Sequence, residues 1–538
     1  MNITNPIIPG FAPDPSVVYV DGVFYLANSS FHLFPGIPIY TSQNLRDWKL
    51  VCHAIHRPEQ LSLYNASSVS VPLHTGGRMI ATGGLFAPTI RHHRGIFYIV
   101  CTNATLVPSI KVDNFLISTT NIWSGRWSNP VPISYPGIDP SLFFDDDDRA
   151  YVQGSFSLGL GNQPSCTIKQ FEVDVETGKA LTDSREIWAG HSRIDTEGPH
   201  IYNVDGWYYL LVAEGGTFEH HMLSVARSKS IWGPYQSFEG NPILTADGKP
   251  DEYVQNSGHG ELFQDAKGQW WAAVLAVRNE ATCQPLGRET FLTPVHWPEG
   301  SWPQIQHPKA QFEAPSPVAL QVDDKQRVSF QERIQKLDAR LEDVHIRDPE
   351  TLCYVPPKSG EPSPWTLFPS LEDLARPVGT STFIGNRQRS FYTTVTASID
   401  LSSLKGAGHH GIMAGLAVYK DHLRHLLLRL DNNTKTVAMK GVNGDTNLGS
   451  TACEKTMPVK DTAQILHFKI VSSPKEYRGL AAVTTGGQRG AWAELGSWET
   501  KDFAAREMVG PIFGIFAHSA TEAGKKVGVV FPSFTLCT

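Results

Sequence analysis

Short apolar runs separated by polar turns follow one another through the first three hundred residues of the chain. In five units a candidate site residue precedes an aromatic strand residue by 11 or 12 positions, with a turn such as Asp21-Gly22 between them. The five pairs are Asp14 and Tyr25, Ala87 and Tyr98, Asp139 and Tyr151, Glu197 and Tyr209, and His259 and Trp271. The units lie roughly 50 to 75 residues apart, which leaves room for about four strands each. The pattern therefore predicts a five-bladed β-propeller.

The same pattern predicts where the chemistry lies. Blades packed around one axis bring equivalent positions of every unit to one central funnel. We therefore expect Asp14, Asp139, Glu197 and His259 to meet there, although they are far apart in the sequence. The convergence of three carboxyl groups on one pocket predicts a catalytic site.

A second pattern begins where the repeat ends. Residues 305–330 are rich in proline and alanine, and from about residue 380 longer alternating strands follow, eight or more of them. Such strands are typical of a β-sandwich, here a lectin-like jelly roll. We predict an all-β protein with a propeller catalytic domain over 1–310, a linker over 311–330 and an accessory β-sandwich over 331–538. Its first residues, 331–344, are the most helix-like segment of the chain.

Charge and hydropathy restrict the partners. The chain has 538 residues, 18% of them charged, and a formal net charge of −7 spread along its length. No cluster of Lys and Arg resembles a nucleic-acid footprint, and no segment has the roughly 20 apolar residues of a membrane span. We expect a neutral, polar small-molecule substrate as the partner, with no nucleic acid and no membrane, and the sequence leaves a homo-oligomer open.

The N-terminal residues MNITNPIIPG lack the basic and apolar regions of a secretory signal. As written, the sequence therefore favours a cytoplasmic protein. Removal of a signal before this start would instead indicate a secreted one.

Asp14 and Glu197 are the candidate catalytic pair. Hydrolysis of a glycosidic bond needs a proton donor at the leaving oxygen and a second carboxylate that activates water or attacks carbon. Asp14 lies between two prolines and Glu197 precedes a Gly-Pro turn, so rigid backbone aims both side chains. An aspartate in an isolated Asp-Pro-Ser is more often a turn residue that caps its own backbone. Its position in the repeat favours catalysis.

Asp139 and His259 complete the predicted cluster. Asp139 has the same Asp-Pro-Ser context as Asp14, so on composition alone either could be the base. A third carboxylate raises the pKa of the acid by repulsion between like charges. His259 lies between two glycines, which favours an exposed or ligated ring that could orient a carboxylate or hold an ion. The chemistry requires no cofactor, and a structural calcium ion near His259 is the metal that the sequence leaves open.

Other residues are candidates for binding the sugar. Arg288 precedes an apolar strand and could reach a hydroxyl group or a site carboxylate, although such arginines are more often surface residues. Phe31, Phe34 and Phe86 lie near the predicted funnel, where an aromatic ring would stack on the apolar face of a sugar. Each of these rings taken singly is more often a core residue.

At these motifs the chain resembles glycoside hydrolase family 43, the inverting β-xylosidases and α-L-arabinofuranosidases with a five-bladed propeller and an appended β-sandwich. The resemblance covers nearly the whole length. The segments that carry it, in the family's order, are NPIIPGFAPDPSVV, FPGIPIYTSQNLRDWKLV, GGLFAPTIRHHRGIFYIV, GIDPSLFFDD, DTEGPHIY, AEGGTFEHHMLSVARS, NSGHGELF and LGRETFLTPVHWPEG.

The resemblance implies that Asp14 is the general base, that Glu197 is the general acid, and that Asp139 orients the acid and tunes its pKa. It also implies that Arg288 contacts the bound sugar. Inversion agrees with a base and an acid about 6.5 to 9.5 Å apart, with a water between them. His259 matches the family's central histidine, and His221 matches the one in its Glu-Gly-Gly-Thr segment. The sandwich of related xylosidases helps to close the pocket, which suggests Phe513 as an aromatic supplied from that domain.

Two departures from the family's pattern leave the substrate open. Related xylosidases have tryptophan where this chain has Phe86, and Phe-Glu-Trp-Phe where it has Phe31-His32-Leu33-Phe34. We expect release of xylose, and of arabinose, from xylo-oligosaccharides or arabinoxylan fragments by exo action. A predominant α-L-arabinofuranosidase of the same family is the alternative.

Two other interpretations compete with this one. A retaining fructosidase of the invertase type also uses three acidic residues from successive blades, but its Trp-Met-Asn-Asp-Pro, Arg-Asp-Pro and Glu-Cys signatures are absent from the sequence. A carbohydrate-binding propeller without turnover is the alternative from another class. A binding site alone would not need a base, an acid and a tuning carboxylate together.

Overall fold

The computed structural model describes residues 1–73, 77–159, 161–280, 283–314, 324–349, 353–357, 363–406, 409–444 and 452–538. Within them the regular secondary structure is almost entirely β-strand, as predicted. Three short α-helices accompany the strands, at Asp324–Gln335, Thr500–Phe503 and Glu522–Lys525. No helix among the described residues is long and apolar enough to cross a membrane.

Five antiparallel sheets follow one another through residues 16–305, where the sequence repeats its hairpin pattern. The first sheet has Ser16–Val20, Val23–Ala27, Gly36–Ser42 and Lys49–Ile55. The second has Gly84–His93, Ile96–Thr105, Lys111–Thr119 and Val131–Ile133. The third has Ile138–Phe144, Ala150–Ser157, Cys166–Val173 and Arg185–Trp188. The fourth has Glu197–Val204, Trp207–Glu214, Met222–Ser228, Gln236–Ser237 and Leu244–Thr245. The fifth has Val254–Gln264, Trp270–Arg278, Glu289–His296 and Gln304–Ile305.

The first strand of each sheet, which we call its inner strand, lies against the inner strand of the next sheet. These contacts continue from the fifth sheet back to the first and so close a ring. The chain ends of this half are joined as well, because Asn2–Thr4 pairs with Gln311–Glu313. The closed ring brings equivalent positions of all five units around one axis, which is what positions the site.

The second half of the chain packs two larger antiparallel sheets face to face. One has Thr382–Arg387, Ile512–Ser519, Ile412–Asp421, Arg424–Asp431, Thr436–Asn443 and Ala452–Pro458, in that order. The other has Gln488–Arg489, Glu476–Thr485, Ile465–Ser472, Thr394–Asp400 and Ser533–Cys537, with Ala493–Glu499 beside Glu476–Thr485. Alternate apolar residues of both sheets form one core, so this half is the predicted β-sandwich.

Smaller elements join the two halves. Leu33–Phe34 of the first half pairs with His345–Ile346, and a hairpin of Ser68–Pro72 and Arg78–Thr82 lies near the ring. Tyr354–Val355, Trp365–Leu367 and Val529–Phe531 make a three-stranded sheet. Short 3-10 turns occur at Ile122–Ser124, Ala339–Glu342 and Leu401–Leu404.

The helix-like segment 331–344 differs from its prediction. The α-helix ends at Gln335, and the rest of the segment forms the 3-10 turn at Ala339–Glu342, which Asp338 caps by accepting from the Arg340 N–H. Part of the predicted linker, residues 315–323, lies outside the described residues. The domain boundaries therefore stay predictions.

A shared apolar core holds the ring and the sandwich together. It contains Phe11, Phe31 and Leu33 from the ring, packed with sandwich residues such as Tyr419 and Phe516. Since Phe31 also faces the central cavity described below, the junction between the two halves forms part of the wall of the site.

Candidate active site

The position at which Asp14 stands has the same backbone conformation in every unit of the ring. In each unit, the aromatic residue of the second strand pairs with a residue of the inner strand, and the position in question lies four residues before that inner-strand residue. Each residue at this position has a positive φ. The five occupants are Asp14 (53°), Ala87 (50°), Asp139 (54°), Gly198 (55°) and His259 (28°). Only a residue held by surrounding structure keeps this conformation when it is not glycine, so the repeat places side chains at the axis at some cost in strain.

The fourth occupant corrects the alignment of the repeat, because it is Gly198 and not Glu197. The third and fifth hairpins are one residue longer than the others, so spacing alone aligned Glu197 with Asp139 and His259. A Cβ atom at Gly198 would lie 3.0 Å from Nε2 of His259. The Gly198 N–H also donates to Oδ2 of Asp139 at 3.1 Å. Glycine at this position leaves room for the imidazole while its neighbour supplies the carboxyl group.

One cavity of about 300 Å³ collects most of the predicted site residues. Those that line it are Asp14, Asp139, Glu197, His259, Arg288, Phe31 and Phe86. The convergence that the repeat predicts is therefore present, with Glu197 reaching the cavity from the residue before the equivalent position.

Asp14 is buried and held in its ionised form by its neighbours. Burial raises its pKa, but the charges of Arg288 and His259 and a hydrogen bond from Ser29 outweigh burial and bring the pKa below its usual value. Nη1 of Arg288 lies 3.4 Å from Oδ1, and Nδ1 of His259 lies 3.7 Å from the same oxygen. The Ser29 hydroxyl donates to Oδ2 at 2.5 Å and accepts from the Ala87 N–H. These contacts suit a carboxylate that accepts a proton.

Glu197 has the opposite electrostatic environment. Burial raises its pKa well above the usual value, and the nearby carboxyl groups of Asp139, Asp195 and Asp14 raise it further. The pKa of Asp139 lies between these two cases. Burial, together with the charge of Asp14, raises it to about 6, although the charge of His259 lowers it. The pKa of Asp14 is thus lowered and that of Glu197 raised within one pocket, as expected for the base and the acid of acid–base hydrolysis.

The sequence requires no metal and leaves open a structural calcium ion near His259, where the donor set is small. One ligand atom each from Asp139, Glu197 and His259 lies within 4.8 Å of the others. Calcium takes six to eight oxygen ligands and this trio offers two carboxyl groups and an imidazole, so the described residues do not fit a protein-built calcium site.

His221 lies beside the cavity and is not among its lining residues. It is buried, and burial together with the charges of His259 and Arg288 lowers its pKa to about 3 despite a hydrogen bond between Nδ1 and the Asn256 carbonyl. A methyl group at Gly258 would overlap its ring. His221 therefore packs against Gly258, the residue before His259, and its role in binding the sugar stays a prediction.

The predicted aromatic residues separate into three groups. Phe31 and Phe86 stack with ring centres 5.5 Å apart on the cavity wall, and the Arg288 guanidinium lies 5.4 Å from the Phe31 ring centre. Phe34 instead packs in a core between the first two sheets. The suggestion of Phe513 is wrong, because that ring is fully buried inside the sandwich, where it contacts Tyr477.

Ten further residues line the cavity, and among them are three polar or flexible side chains that the sequence did not single out: Asp195, Thr217 and Met508. Asp195 lies two residues before Glu197, and its charge raises the pKa of Glu197. The short spacing between these two carboxylates was a sequence signal that could have identified Asp195. Thr217 accepts from Arg288 at 3.1 Å. Met508 comes from the sandwich, and no sequence pattern relates it to the ring.

Comparisons with known proteins agree with this geometry. Residues 3–303 match the family model described as Glycosyl hydrolases family 43, and residues 368–536 match that of the Beta xylosidase C-terminal Concanavalin A-like domain. A Bacteroides ovatus protein described as non-reducing end alpha-L-arabinofuranosidase BoGH43B is 33% identical over 531 residues, covering 95% of this chain and 90% of that protein. A Bacillus subtilis beta-xylosidase is 33% identical over 318 residues, 57% of each chain.

Solved structures resemble the whole chain. The GH43 protein BlXynB from Bacillus licheniformis superposes with a TM-score of 0.81 at 26% identity, over 100% of this chain and 99% of that one. The xylan beta-1,4-xylosidase from Bacillus halodurans gives the same TM-score and identity over 100% of both chains.

Proposed function

Because the chain belongs to glycosyl hydrolase family 43 and is a glycoside hydrolase, we propose that it is an inverting exo-acting enzyme that releases xylose, and also arabinose, from xylo-oligosaccharides or arabinoxylan fragments. The observation that carries the proposal is the opposed pKa shifts of Asp14 and Glu197 in one cavity. An ionised base and a protonated acid that face one sugar are what inversion requires.

The reaction follows from these protonation states. Glu197 donates its proton to the glycosidic oxygen as the bond from the anomeric carbon to that oxygen breaks. A water on the opposite face of the sugar forms the new carbon–oxygen bond, and Asp14 accepts a proton from it. Exchange with solvent then returns Glu197 to the acid form and Asp14 to the carboxylate.

Asp139 and Arg288 support these two groups. After burial, the negative charge of Asp139 is the largest contribution that raises the pKa of Glu197, and the hydrogen bond that Asp139 accepts from the Gly198 N–H fixes the backbone next to Glu197. Arg288 keeps Asp14 ionised and, with Phe31, forms a wall for the sugar. Stacked phenyl rings suit the apolar face of a pentose.

Exo action is supported by the size of the cavity. Its volume of about 300 Å³ lies at the lower end of the range for ligand pockets, which suits one sugar unit and not an extended polymer. Release of monosaccharide from short oligosaccharides is therefore the proposed mode. Early appearance of long internal fragments from xylan would contradict it.

The ring of five sheets is proposed to be the five-bladed propeller that the repeat predicts. Support comes from the closed sequence of contacts between inner strands and from the shared positive φ at the five axial positions.

An alternative substrate preference also has support. The relative matched over 95% of this chain is described as an arabinofuranosidase, so arabinose is the second candidate sugar.

Paired initial rates on 4-nitrophenyl β-D-xylopyranoside and 4-nitrophenyl α-L-arabinofuranoside test the proposal. We expect hydrolysis of both, with the ratio of kcat/KM values identifying the preferred sugar. An exposed-site variant, Asp21→Asn, is the control and should keep both rates. Binding of xylobiose by calorimetry with no turnover of either glycoside would favour a non-catalytic propeller instead.

The opposed pKa shifts predict a bell-shaped pH dependence of kcat/KM. Activity is lost as pH falls through the lowered pKa of Asp14, because the base becomes protonated, and as pH rises through the raised pKa of Glu197, because the acid becomes ionised. The acidic limb should therefore lie below the ordinary aspartate value of about 3.9 and the basic limb above the ordinary glutamate value of about 4.3. Initial rates from pH 3 to pH 10, in buffers where the protein stays folded, measure both limbs. A rate that rises continuously to high pH would contradict the assignment of Glu197 as the acid.

A further inference from the structure

A short segment of the sandwich, Arg506–Met508, makes different contacts with each of its three side chains. Arg506 forms an ion pair with Glu219 of the ring. Glu507 points into the sandwich and is fully buried, while Met508 lines the catalytic cavity. The segment therefore joins the interior of one domain to the active site of the other.

The backbone of this segment also contacts the hairpin beside the ring and, through Arg288, the ring itself. The Ile80 N–H donates to the Arg506 carbonyl at 2.9 Å, and the Met508 N–H donates to the Ile80 carbonyl at 3.3 Å. The Met508 carbonyl accepts from Nε of Arg288 at 3.2 Å and from Nη2 at 2.9 Å. The same guanidinium places Nη1 3.4 Å from Asp14. One carbonyl of the sandwich thus orients the arginine that faces the proposed base.

Buried charges fix the segment from the sandwich side. Glu507 pairs with Nζ of Lys420 at 2.5 Å and with the guanidinium of Arg424, and Arg424 pairs with Asp421 at 2.5 Å. Lys420 also donates to the Phe503 carbonyl at 2.9 Å. The cluster contains two cations and two carboxylates, and all four side chains are at most 2% exposed. Removing one partner from such a cluster leaves an unpaired buried charge, so Glu507 is held strongly.

We propose that Glu507 is a positioning residue for catalysis: its ion pairs with Lys420 and Arg424 hold Met508 so that the Met508 carbonyl orients Arg288 against Asp14. Glu507 touches no substrate and acts only through this contact chain. The inference rests on the proposed function, since it assumes that Asp14 is the base. It assigns the sandwich an electrostatic role in the chemistry of the ring.

Glu507→Gln tests the proposal through the pH profile. The side chains that face Asp14 and affect its charge are Arg288, His259, His221, Asp139, Glu197 and Cys101. Loss of the anchor frees Arg288 and leaves the other five in place, so we expect the acidic limb of kcat/KM to move up by about one pH unit. Arg288 also lowers the pKa of Glu197, but as the smallest of the contributions to it, so the basic limb should move by less than the acidic limb. With that shift, kcat/KM at pH values below the original pKa of the limb falls about tenfold.

Asp421→Asn is the matched control, because it removes the same charge from the same cluster without touching the segment. We expect its acidic limb to stay at the position of the unchanged protein, even if both variants melt at a lower temperature. An equal limb shift in both variants, or none in Glu507→Gln, would overturn the positioning role. If Glu507→Gln does not fold, the double variant Lys420→Gln with Glu507→Gln restores a neutral cluster and is judged by the same shift.

Asp14→Asn separates this inference from the proposed function. Retention of the acidic limb in Asp14→Asn would mean that Asp14 is not the base, and both the proposed function and the positioning role would fail. Loss of turnover in Asp14→Asn together with an unmoved limb in Glu507→Gln would overturn the positioning role alone.

Discussion

Asp14→Asn is expected to lower kcat about 10⁴-fold on every glycoside that the protein hydrolyses, whatever the leaving group. An amide cannot accept the proton of the attacking water, and no other described carboxyl group has the lowered pKa of Asp14 together with contact to Arg288. The loss corresponds to about 5.5 kcal/mol of transition-state stabilisation. Single-turnover rates measured with the enzyme in excess over 4-nitrophenyl β-D-xylopyranoside would give the value directly.

Rescue by an external nucleophile sharpens this test. Azide should restore part of the turnover of Asp14→Asn and form a glycosyl azide of inverted configuration, because the site of the water is then open to a small anion. Asp21→Asn, an exposed turn residue of the same sheet, should remain fully active. If Asp14→Asn hydrolysed the glycoside at a tenth of the original rate or faster, Asp14 would not be the base. Proton NMR of the first product anomer distinguishes the mechanism further, since retention would favour a fructosidase-like enzyme.

Asp14, Asp139 and His259 could be placed together from the sequence because their units repeat. A closed ring converts a repeated position into a shared location, so recognising the repeat was enough. The backbone at these positions strengthens the point, since non-glycine residues there keep a positive φ. The β-sandwich was equally accessible, because its strands place large apolar residues at every second position, as Val437 and Met439 or Leu466, Phe468 and Ile470 show.

Glu197 was found for a partly wrong reason. Counting back from the aromatic assumed hairpins of equal length, whereas the third and fifth hairpins have one extra residue. Strand register, which the structure supplies, gives the equivalent position to Gly198. A difference of one residue in a turn has no hydrophobic signature, so sequence periodicity could not reveal it.

The contribution of the sandwich could not be predicted in detail. Strand Ile512–Ser519 is buried on both faces, so its sequence does not tell which side chain turns toward a neighbouring domain. Phe513 was the obvious aromatic there, yet it belongs to the sandwich core and Met508 lines the cavity instead. Met508 contacts Arg288 across 220 residues of sequence. Contacts of this kind depend on how two folded units dock, which local patterns do not encode.

Glu197→Gln is expected to produce a loss that depends on the leaving group, unlike that of Asp14→Asn. Glutamine cannot protonate the glycosidic oxygen, so kcat on xylobiose, whose leaving group is a poor alkoxide, should fall about 10⁴-fold. On 2,4-dinitrophenyl β-D-xylopyranoside the leaving group departs as a stable anion, and the loss should be less than about 10²-fold. Rates of both variants on both substrates, measured at one pH near neutrality, provide the comparison.

The pH profile of Glu197→Gln gives a second, independent test of the same role. The basic limb of kcat/KM should disappear on the dinitrophenyl substrate, because the group whose raised pKa produces it is gone, while the acidic limb set by Asp14 stays. Glu186→Gln, an exposed glutamate on the outer strand of the third sheet, should keep both limbs and both rates. Equal losses on the two substrates, with the basic limb retained, would assign the proton donation to another group. Asp139 would then be the first candidate, since its pKa of about 6 already leaves it partly protonated near neutral pH.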